Sequence, residues 1–248
     1  MDLHCHWVAG IDDGARTPAE GVAMLRALAL AGFGTVVATP HMRPGMFDND
    51  RPSLERAFAA MRPHVDDASP GALFPAVHLA SEHFFDDVVF QRFLAGECLP
   101  YPGGGAALVE FPPHALPVRC QARFFDLRRA GITPVVAHPE RYEPVWNDDE
   151  CLTPLLDAGA HLLLDLGSLV GKYGRRAQHA AELLLEDDAY EAACSDAHRP
   201  GDVPGVVEAA ERLRELVGEA EATRLLSEGP RQILTMPRAT NQTKGNIQ

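Results

Sequence analysis

Two histidines lie two positions apart near the start of the chain, at His4 and His6. In an extended strand, residues i and i+2 point to the same face, so both imidazoles could reach one metal ion. Two adjacent acids, Asp12 and Asp13, follow shortly afterwards. A single histidine is more often a packed core residue than a ligand. The histidine pair with two acids behind it instead favours a metal site, provided that the rest of the chain supplies further ligands.

Further imidazoles and carboxylates stand where short apolar runs end, which is where strands are predicted to end. These residues are His41, Glu82, Glu110, His138, Asp196 and His198. In parallel α/β folds the carboxyl ends of the strands meet on one face, so we expect this set to converge with the first histidine pair. Burying so many acids without cations is costly, and mixed nitrogen and oxygen ligands suit Mn²⁺, Fe²⁺ or Zn²⁺. The set therefore predicts more than one ion, with Glu110 as a natural bridging carboxylate.

The elements that would position these residues repeat one pattern of helix, glycine, apolar strand and polar residue. Thr17 to Glu20 reads as a capping box with Pro18 at the first helical position, and Gly32 ends that helix. The same pattern recurs around Gly131 and Gly159. It is typical of a parallel α/β fold and predicts about seven βα units. Helices are expected at 51–62, 86–95, 119–130, 148–158, 174–187 and 203–226.

The composition indicates one globular domain. The chain has 248 residues, of which 46% are hydrophobic, enough for a single large core. We expect one domain over residues 1–236 and a flexible tail over the polar residues 237–248. The formal net charge of −13 argues against nucleic acid as a partner. An anionic substrate would need bound cations or well-placed arginines to reverse the local field.

The five cysteines are scattered and include no Cys-x-x-Cys pair. This usage predicts reduced thiols and a cytoplasmic protein, and no signal peptide or membrane-spanning run is apparent. None of the cysteines is followed by an arginine at the spacing of a phosphate-cradling thiol-phosphatase loop. The sequence therefore excludes the usual cysteine-based route of tyrosine phosphatases.

Taken together, these motifs resemble the polymerase-and-histidinol-phosphatase (PHP) superfamily. The motifs that carry the resemblance are Asp2–His6, Asp12–Gly14, Ala38–His41, Glu82, Val109–Phe111, Ala137–Tyr142 and Ser195–His198. Three segments resemble, more narrowly, the manganese-dependent protein-tyrosine phosphatases of bacterial capsule and exopolysaccharide operons. They are Arg43–Phe47, His138–Tyr142 and Gly167–Gly174. The similarity extends from Met1 to about Leu234.

The resemblance implies a distorted (β/α)7 TIM-like barrel with the metal site at the C-terminal ends of its strands. It implies about three divalent ions, most often Mn²⁺, with Fe²⁺, Zn²⁺ or Mg²⁺ as alternatives. The implied ligands are His4, His6, His41, Glu82, Glu110, His138, Asp196 and His198. Asp13 matches an active-site acid and Arg141 a catalytic, phosphate-binding arginine, with Arg43 and Arg199 as further substrate-binding candidates. Asp165 has no role that the resemblance implies.

The predicted function is hydrolysis of phosphotyrosine on a bacterial tyrosine kinase with a tyrosine-rich tail, which would regulate capsule or exopolysaccharide production. One alternative is a histidinol-phosphate phosphatase or another small-molecule phosphoesterase of the same superfamily. A second alternative is a metal-stabilised regulator that binds a phosphoprotein without turnover. Neither nucleic acid nor membrane insertion is expected in any of these cases.

Overall fold

Parallel strands form the centre of the fold in a computed structural model that describes residues 1–69 and 73–239. The strands of these ranges are β1 Asp2–Cys5, β2 Thr35–Ala38, β3 His41–Met42, β4 Ala76–Leu79, β5 Glu82–Phe84, β6 Ala106–Glu110, β7 Thr133–Ala137, β8 His161–Asp165 and β9 Ala192–Cys194. They form a three-stranded sheet, β1-β2-β4, and a six-stranded sheet, β3-β5-β6-β7-β8-β9. The predicted α/β class with parallel strands is confirmed, although the strands are divided between two sheets.

The division between the sheets falls at two short breaks in adjacent strands. Pro40 separates β2 from β3, and its missing N–H prevents a regular ladder there. The neighbouring strands β4 and β5 break at the same level, where the Ser81 hydroxyl donates to Pro40 O at 2.8 Å. Beyond the break, β3 and β5 resume in parallel, with His41 paired in register to Glu82. The strands that follow the break, β3 and β5, thus begin with His41 and Glu82, two residues predicted to bind metal.

Helices pack around the sheets, and their bounds differ from the sequence prediction in places. They are α1 Pro18–Leu30, α2 Arg51–Ala68, α3 Asp87–Ala95, α4 Cys120–Arg129, α5 Glu143–Asn147, α6 Thr153–Asp157, α7 Arg175–Glu186, α8 Val203–Thr223 and α9 Gly229–Thr235. At the start of α1, the Glu20 N–H donates to Thr17 Oγ1 as predicted. The Glu20 carboxylate accepts from Arg16 N–H instead of Thr17, so the predicted capping box closes one residue early.

Three helix predictions were wrong in extent. The helix predicted over 148–158 is a 3₁₀ turn, Asp149–Leu152, followed by the short helix α6. Helix α2 continues to Ala68 rather than ending at residue 62, because Met61 and Val65 are buried one turn apart and hold the helix on the core across Pro63. The single helix predicted over 203–226 is interrupted at Gly218, whose φ of 79° is left-handed. A π-helical turn at Arg224–Glu228 then leads into α9.

The core consists of two apolar clusters that share strands. In β6, Ala107 and Val109 belong to the larger cluster beneath the helices, whereas Ala106 and Leu108 belong to the smaller one. This alternation is the period of a strand buried on both faces. The smaller cluster also contains Leu3, Val37, Ala80, Tyr101, Val135, Ala137, Leu163, Ala192, Cys194, Ile233 and Leu234. The smaller cluster therefore packs strands of both sheets against one another.

The predicted tail begins at residue 237, and its first residues contact the fold. Pro237 forms an isolated antiparallel bridge with Gly104, and Arg238 Nε donates to Ala130 O at 3.2 Å. The remainder of the predicted tail, 240–248, lies outside the described residues. Within the described ranges, no helix combines the length and the apolar character needed to cross a bilayer. All five cysteines are unpaired, and four of them are buried.

Gly21 fixes the distance between α1 and the segment that follows β1. A Cβ at this position would lie 2.2 Å from Trp7 O, so Gly21→Ala must displace the helix or the strand end. We expect it to lower the free energy of unfolding by about 1–3 kcal/mol, the usual cost of overpacking. Gly205→Ala is the matched control, because this helical glycine has nothing within 4 Å of the added atom. Equal urea midpoints for the two variants would contradict the predicted contact.

Candidate metal centre

The predicted ligands converge at one end of the strands. They lie, together with Asp13, in four overlapping groups whose ligand atoms are within 4.8 Å of one another. The groups are His6–Asp13–His41–His198, His4–His6–Asp196, His4–Glu82–His138 and His41–Glu82–Glu110. Every residue predicted as a metal ligand therefore occupies the common site, and the strand ends position them as expected for a parallel α/β fold.

Glu82 lies at the centre of this arrangement. Its carboxylate oxygens lie 3.2, 3.4, 2.9 and 3.0 Å from ring nitrogens of His4, His6, His41 and His138, respectively. Its side chain is 1% exposed. Burial opposes ionisation of Glu82, but the imidazoles of His4 and His41 outweigh it and hold the pKa of Glu82 well below its usual range. Two of the four groups share Glu82, whereas Glu110, which the sequence suggested as the bridge, belongs to one group, and its bridging role stays a prediction.

Asp196 divides its two oxygens between the imidazoles and an arginine. Asp196 Oδ1 lies 3.2 Å from His4 Nε2, while Asp196 Oδ2 accepts a hydrogen bond from Arg141 Nη1 at 2.6 Å. Asp196 has a φ of 43°, and His138 has a φ of 69°, both in the left-handed region that non-glycine residues avoid. Backbone strain of this kind persists where the surrounding structure enforces it, commonly at functional sites.

The arrangement fits bound cations. Glu110 Oε2 and Asp196 Oδ1 are buried and accept no hydrogen bond from any described residue. His4 Nε2 and His6 Nε2 face each other at 3.1 Å. Burial and the neighbouring charge of Glu82 raise the pKa of Glu110 to about 7. Lone pairs thus outnumber the protons that could satisfy them, and divalent ions would supply the missing positive charge. The mixed imidazole and carboxylate donors suit Mn²⁺, Fe²⁺ or Zn²⁺.

Asp12 orients the His6 imidazole and holds the backbone at His41. Its Oδ2 atom accepts from His6 Nδ1 at 2.7 Å and from the His41 backbone N–H at 3.1 Å. A carboxylate on one ring nitrogen fixes the tautomer and turns the other nitrogen toward the ligand space. The sequence prediction gave a role to Asp13 and none to Asp12. The sequence did contain a signal for Asp12. A metal-binding imidazole needs an acceptor for the proton on its other ring nitrogen, and two adjacent acids follow the first histidine pair.

Asp2 supports the site from behind and was also missed. It is fully buried and accepts hydrogen bonds from the Ser195 hydroxyl at 2.5 Å and from the Ser195 N–H at 3.0 Å. Asp2 begins β1 and Ser195 follows β9, so this contact joins the two segments that carry His4 and Asp196. The sequence signal for Asp2 was the position of an acidic residue at the start of an apolar strand.

The predicted substrate-binding residues are placed unequally. Asp13 Oδ1 lies 3.5 Å from His41 Nε2 and its side chain is 54% exposed, at the outer edge of the centre. The Arg43 guanidinium lies 4.1 Å from the Phe84 ring centroid, with Nη1 4.0 Å from Glu110 Oε2. Arg199 is exposed, and among the described residues its guanidinium forms no ion pair. Asp13, Arg43 and Arg141 thus reach the centre, whereas the Arg199 side chain is not tied to it.

Comparison with known proteins gives consistent matches over nearly the whole chain. Residues 1–235 match the family model described as "Capsular polysaccharide synthesis, CpsB/CapC". The tyrosine-protein phosphatase YwqE of Bacillus subtilis is 29% identical over 199 residues, 80% of this chain and 77% of YwqE. The tyrosine-protein phosphatase CpsB of Streptococcus pneumoniae is 24% identical over 240 residues, 94% of this chain and 98% of CpsB.

A solved structure matches the whole architecture. It comes from work on B. subtilis YwqE and S. pneumoniae CpsB, described there as "unique metal-dependent tyrosine phosphatases". The TM-score is 0.86 at 27% identity, and the match covers 100% of this chain and 99% of the other. The resemblance inferred from the sequence motifs is confirmed by these matches.

His138→Gln tests the metal centre directly. His138 Nε2 lies 3.0 Å from Glu82 Oε1, so the variant removes one imidazole from the His4–Glu82–His138 group. We expect the affinity for Mn²⁺ to fall at least about tenfold, since even residues behind the ligands cost that much. Elemental analysis after dialysis against Mn²⁺ measures the loss. His64→Gln, on the exposed face of α2, is the control, and equal metal content in both variants would refute the assignment.

Proposed function

Because this chain belongs to the CpsB/CapC family of capsular polysaccharide synthesis, we propose that it is a metal-dependent protein-tyrosine phosphatase. The observation that carries the proposal is the set of four overlapping ligand groups with Arg141 hydrogen-bonded to one of their carboxylates. A cluster of divalent ions beside a guanidinium is suited to a phosphate ester, whose charge both would neutralise.

The eight predicted ligands would hold about three ions, with Mn²⁺ preferred. The overlap of the four groups supports this count, because His4, His6, His41 and Glu82 each belong to two groups. A bound divalent ion supplies positive charge to the phosphoryl oxygens and lowers the pKa of the attacking water. The chain's own contribution is to orient the His6 imidazole through Asp12 and to exclude bulk water from the buried carboxylates.

Two arginines would bind the phosphoryl group. The side chains of Arg141 and Arg43 are 28% and 27% exposed, so each is anchored in the protein and still reachable by a ligand. Asp13 is the most exposed acid of the ligand groups, which supports a role on the substrate side. The tyrosyl oxygen has an ordinary pKa of about 10 and leaves with modest assistance. Arg199 remains a candidate for a contact made only with substrate.

Aromatic side chains around the centre support phosphotyrosine over a small polar ester. The Phe47 ring stacks on His41 with centroids 5.2 Å apart and planes 4° apart. Phe84 lies under Arg43 and Tyr173 lies under Arg141. All three rings are half-buried, so their open faces could contact the ring of a tyrosyl phosphate. This surface favours the phosphatase over the histidinol-phosphate alternative.

The two sheets would work as one distorted (β/α)7 barrel within a single domain over residues 1–236. Two backbone hydrogen bonds between the sheets support this. The His6 N–H donates to Ala197 O at 2.9 Å, and the Asp196 N–H donates to His4 O at 3.0 Å. Both link the β1 segment of the smaller sheet to the segment after β9, the last strand of the larger sheet.

The proposed physiological substrate is a bacterial tyrosine kinase with a tyrosine-rich tail, whose dephosphorylation would regulate capsule or exopolysaccharide production. The family's description as capsular polysaccharide synthesis supports this partner class. The unpaired cysteines support the cytoplasm as the location, since thiols stay reduced there.

A substrate comparison tests the proposed activity. With Mn²⁺ present, we expect the chain to release phosphate from a phosphotyrosine peptide and to lose this activity in EDTA. A matched phosphoserine peptide and histidinol phosphate are the controls, and both should react much more slowly. Preference for histidinol phosphate would establish the small-molecule alternative. Binding of the phosphotyrosine peptide without turnover, at full metal occupancy, would establish the non-enzymatic regulator.

Thiol alkylation should leave the activity intact. Burial raises the pKa of Cys120 to about 12 and that of Cys151 to about 11, so neither thiol is activated. Cys5, between two of the predicted ligands, is 0% exposed and its Sγ faces Ala197 O at 3.5 Å. We expect iodoacetamide treatment at neutral pH to preserve turnover of the phosphotyrosine peptide. A cysteine-dependent tyrosine phosphatase treated in parallel provides the positive control, and matching inactivation would contradict metal-based catalysis.

A further inference from the structure

The Arg141 guanidinium is held on three sides. Its Nη1 atom donates to Asp196 Oδ2 at 2.6 Å and lies 3.5 Å from Asp165 Oδ2. Its Cζ atom lies 4.3 Å from the centroid of the Tyr173 ring. The two carboxylates contact the same nitrogen while the aromatic ring covers the face of the guanidinium. Arg141 therefore has a defined position before any substrate arrives.

Asp165 is fixed independently of Arg141. It ends β8 and is 0% exposed, and its Oδ1 atom accepts from the Gly167 N–H at 2.8 Å. Its own N–H donates to Glu140 Oε1 at 3.0 Å. A buried carboxylate needs a cation nearby, and Arg141 is the ion-pair partner that Asp165 has among the described residues. The hydrogen bond from the Gly167 N–H thus fixes the position of the Asp165 carboxylate, and this carboxylate restrains the Arg141 guanidinium.

Glu140 ties the two segments together. It precedes Arg141 in the short 3₁₀ turn Pro139–Arg141 and is fully buried. Besides the Asp165 N–H, its carboxylate accepts from the Ser168 hydroxyl and the Tyr190 hydroxyl, each at 3.0 Å. The turn that carries Arg141 and the strand end that carries Asp165 are consequently anchored to a common group.

We infer that Asp165 and Tyr173 are positioning residues for Arg141, an inference that rests on the proposed phosphatase function. Asp196 belongs to the His4–His6–Asp196 group, so a cation there draws on the same carboxylate that pairs with Arg141. Asp165 lies outside all four ligand groups and keeps an anionic partner for the guanidinium. Tyr173 limits the guanidinium to the plane in which it can meet phosphoryl oxygens.

Asp165→Asn tests the charge with little disturbance of the turn. The amide oxygen can still accept from the Gly167 N–H, so the variant chiefly removes the negative charge. We expect KM for the phosphotyrosine peptide and the dissociation constant of inorganic phosphate each to rise about tenfold, with a smaller change in kcat. Asp187→Asn, at the exposed end of α7, is the matched control and should match the wild type.

Two substitutions separate the ring of Tyr173 from its hydroxyl. Tyr173→Phe keeps the aromatic face and loses only the hydroxyl, which interacts with Asp165, so it should bind phosphate more tightly than Tyr173→Leu. Tyr173→Leu removes the face and should weaken phosphate binding as Asp165→Asn does. Equal weakening in both variants would overturn the role assigned to the ring.

A measurement without metal or turnover completes the test. The guanidinium Nη–H resonances of Arg141, assigned through their loss in Arg141→Lys, should exchange slowly with solvent in the metal-free wild type, because Nη1 contacts both carboxylates. They should exchange faster in Asp165→Asn. If phosphate affinity and this exchange rate are both unchanged, the inference is wrong. It is equally wrong if Asp165→Asn lowers the melting temperature, metal content and kcat together, because the role would then be purely structural.

The phosphate titration separates this inference from the proposed function. If the metal-loaded wild type binds inorganic phosphate but leaves the phosphotyrosine peptide intact, the proposed function fails. The comparison of Asp165→Asn with Asp187→Asn still decides whether Asp165 positions Arg141.

Discussion

The rest of the structure depends on one electrostatic constraint, the burial of Glu82 among imidazoles. An ionised carboxylate without water is costly, and here four ring nitrogens lie within 3.4 Å of its oxygens. A neutral His6 that donates to Asp12 from Nδ1 has no proton on Nε2 for Glu82, and protonated imidazoles would repel each other. Divalent cations among these groups would resolve both problems. The strand break at Pro40 and Ser81 places His41 opposite Glu82, so the fold itself creates the crowding that the proposed ions would relieve.

Buried acids that contact the predicted ligands or their segments hold the site in place. Asp12 holds His6, Asp2 ties Ser195 to β1, and Glu140 anchors the turn before Arg141. Each of these carboxylates binds backbone N–H groups or side-chain donors, so each costs less to bury than an unpaired charge. The formal charge of −13 would repel a phosphate ester from most of the surface. The proposed cations, with Arg43 and Arg141 beside them, reverse the field where the ester would bind.

Much of the site could be predicted from the sequence, because its residues follow directly after apolar runs and parallel strands end on one face. What the prediction lacked depends on tertiary pairing. Glu82 was predicted as one ligand among eight, and its central position comes from its register with His41, which no local pattern specifies. Asp12 acts through a contact with His6 across a turn. Helix α2 passes Pro63 because buried packing outweighs a local penalty, and Gly218 interrupts a helix whose composition alone favours continuation.

At His138 and Asp196 the backbone is left-handed, so the residue that would stabilise the fold best can differ from the residue that the site needs. A residue other than glycine, asparagine or aspartate in this region costs about 1 kcal/mol or more, and His138 bears that cost in a conformation that Gly or Asn would adopt more easily. Selection for thermal stability alone would therefore favour replacing the imidazole. Retention of histidine at such a position in a homologous chain is thus evidence of selection on the site, and stability-guided redesign should hold position 138 fixed.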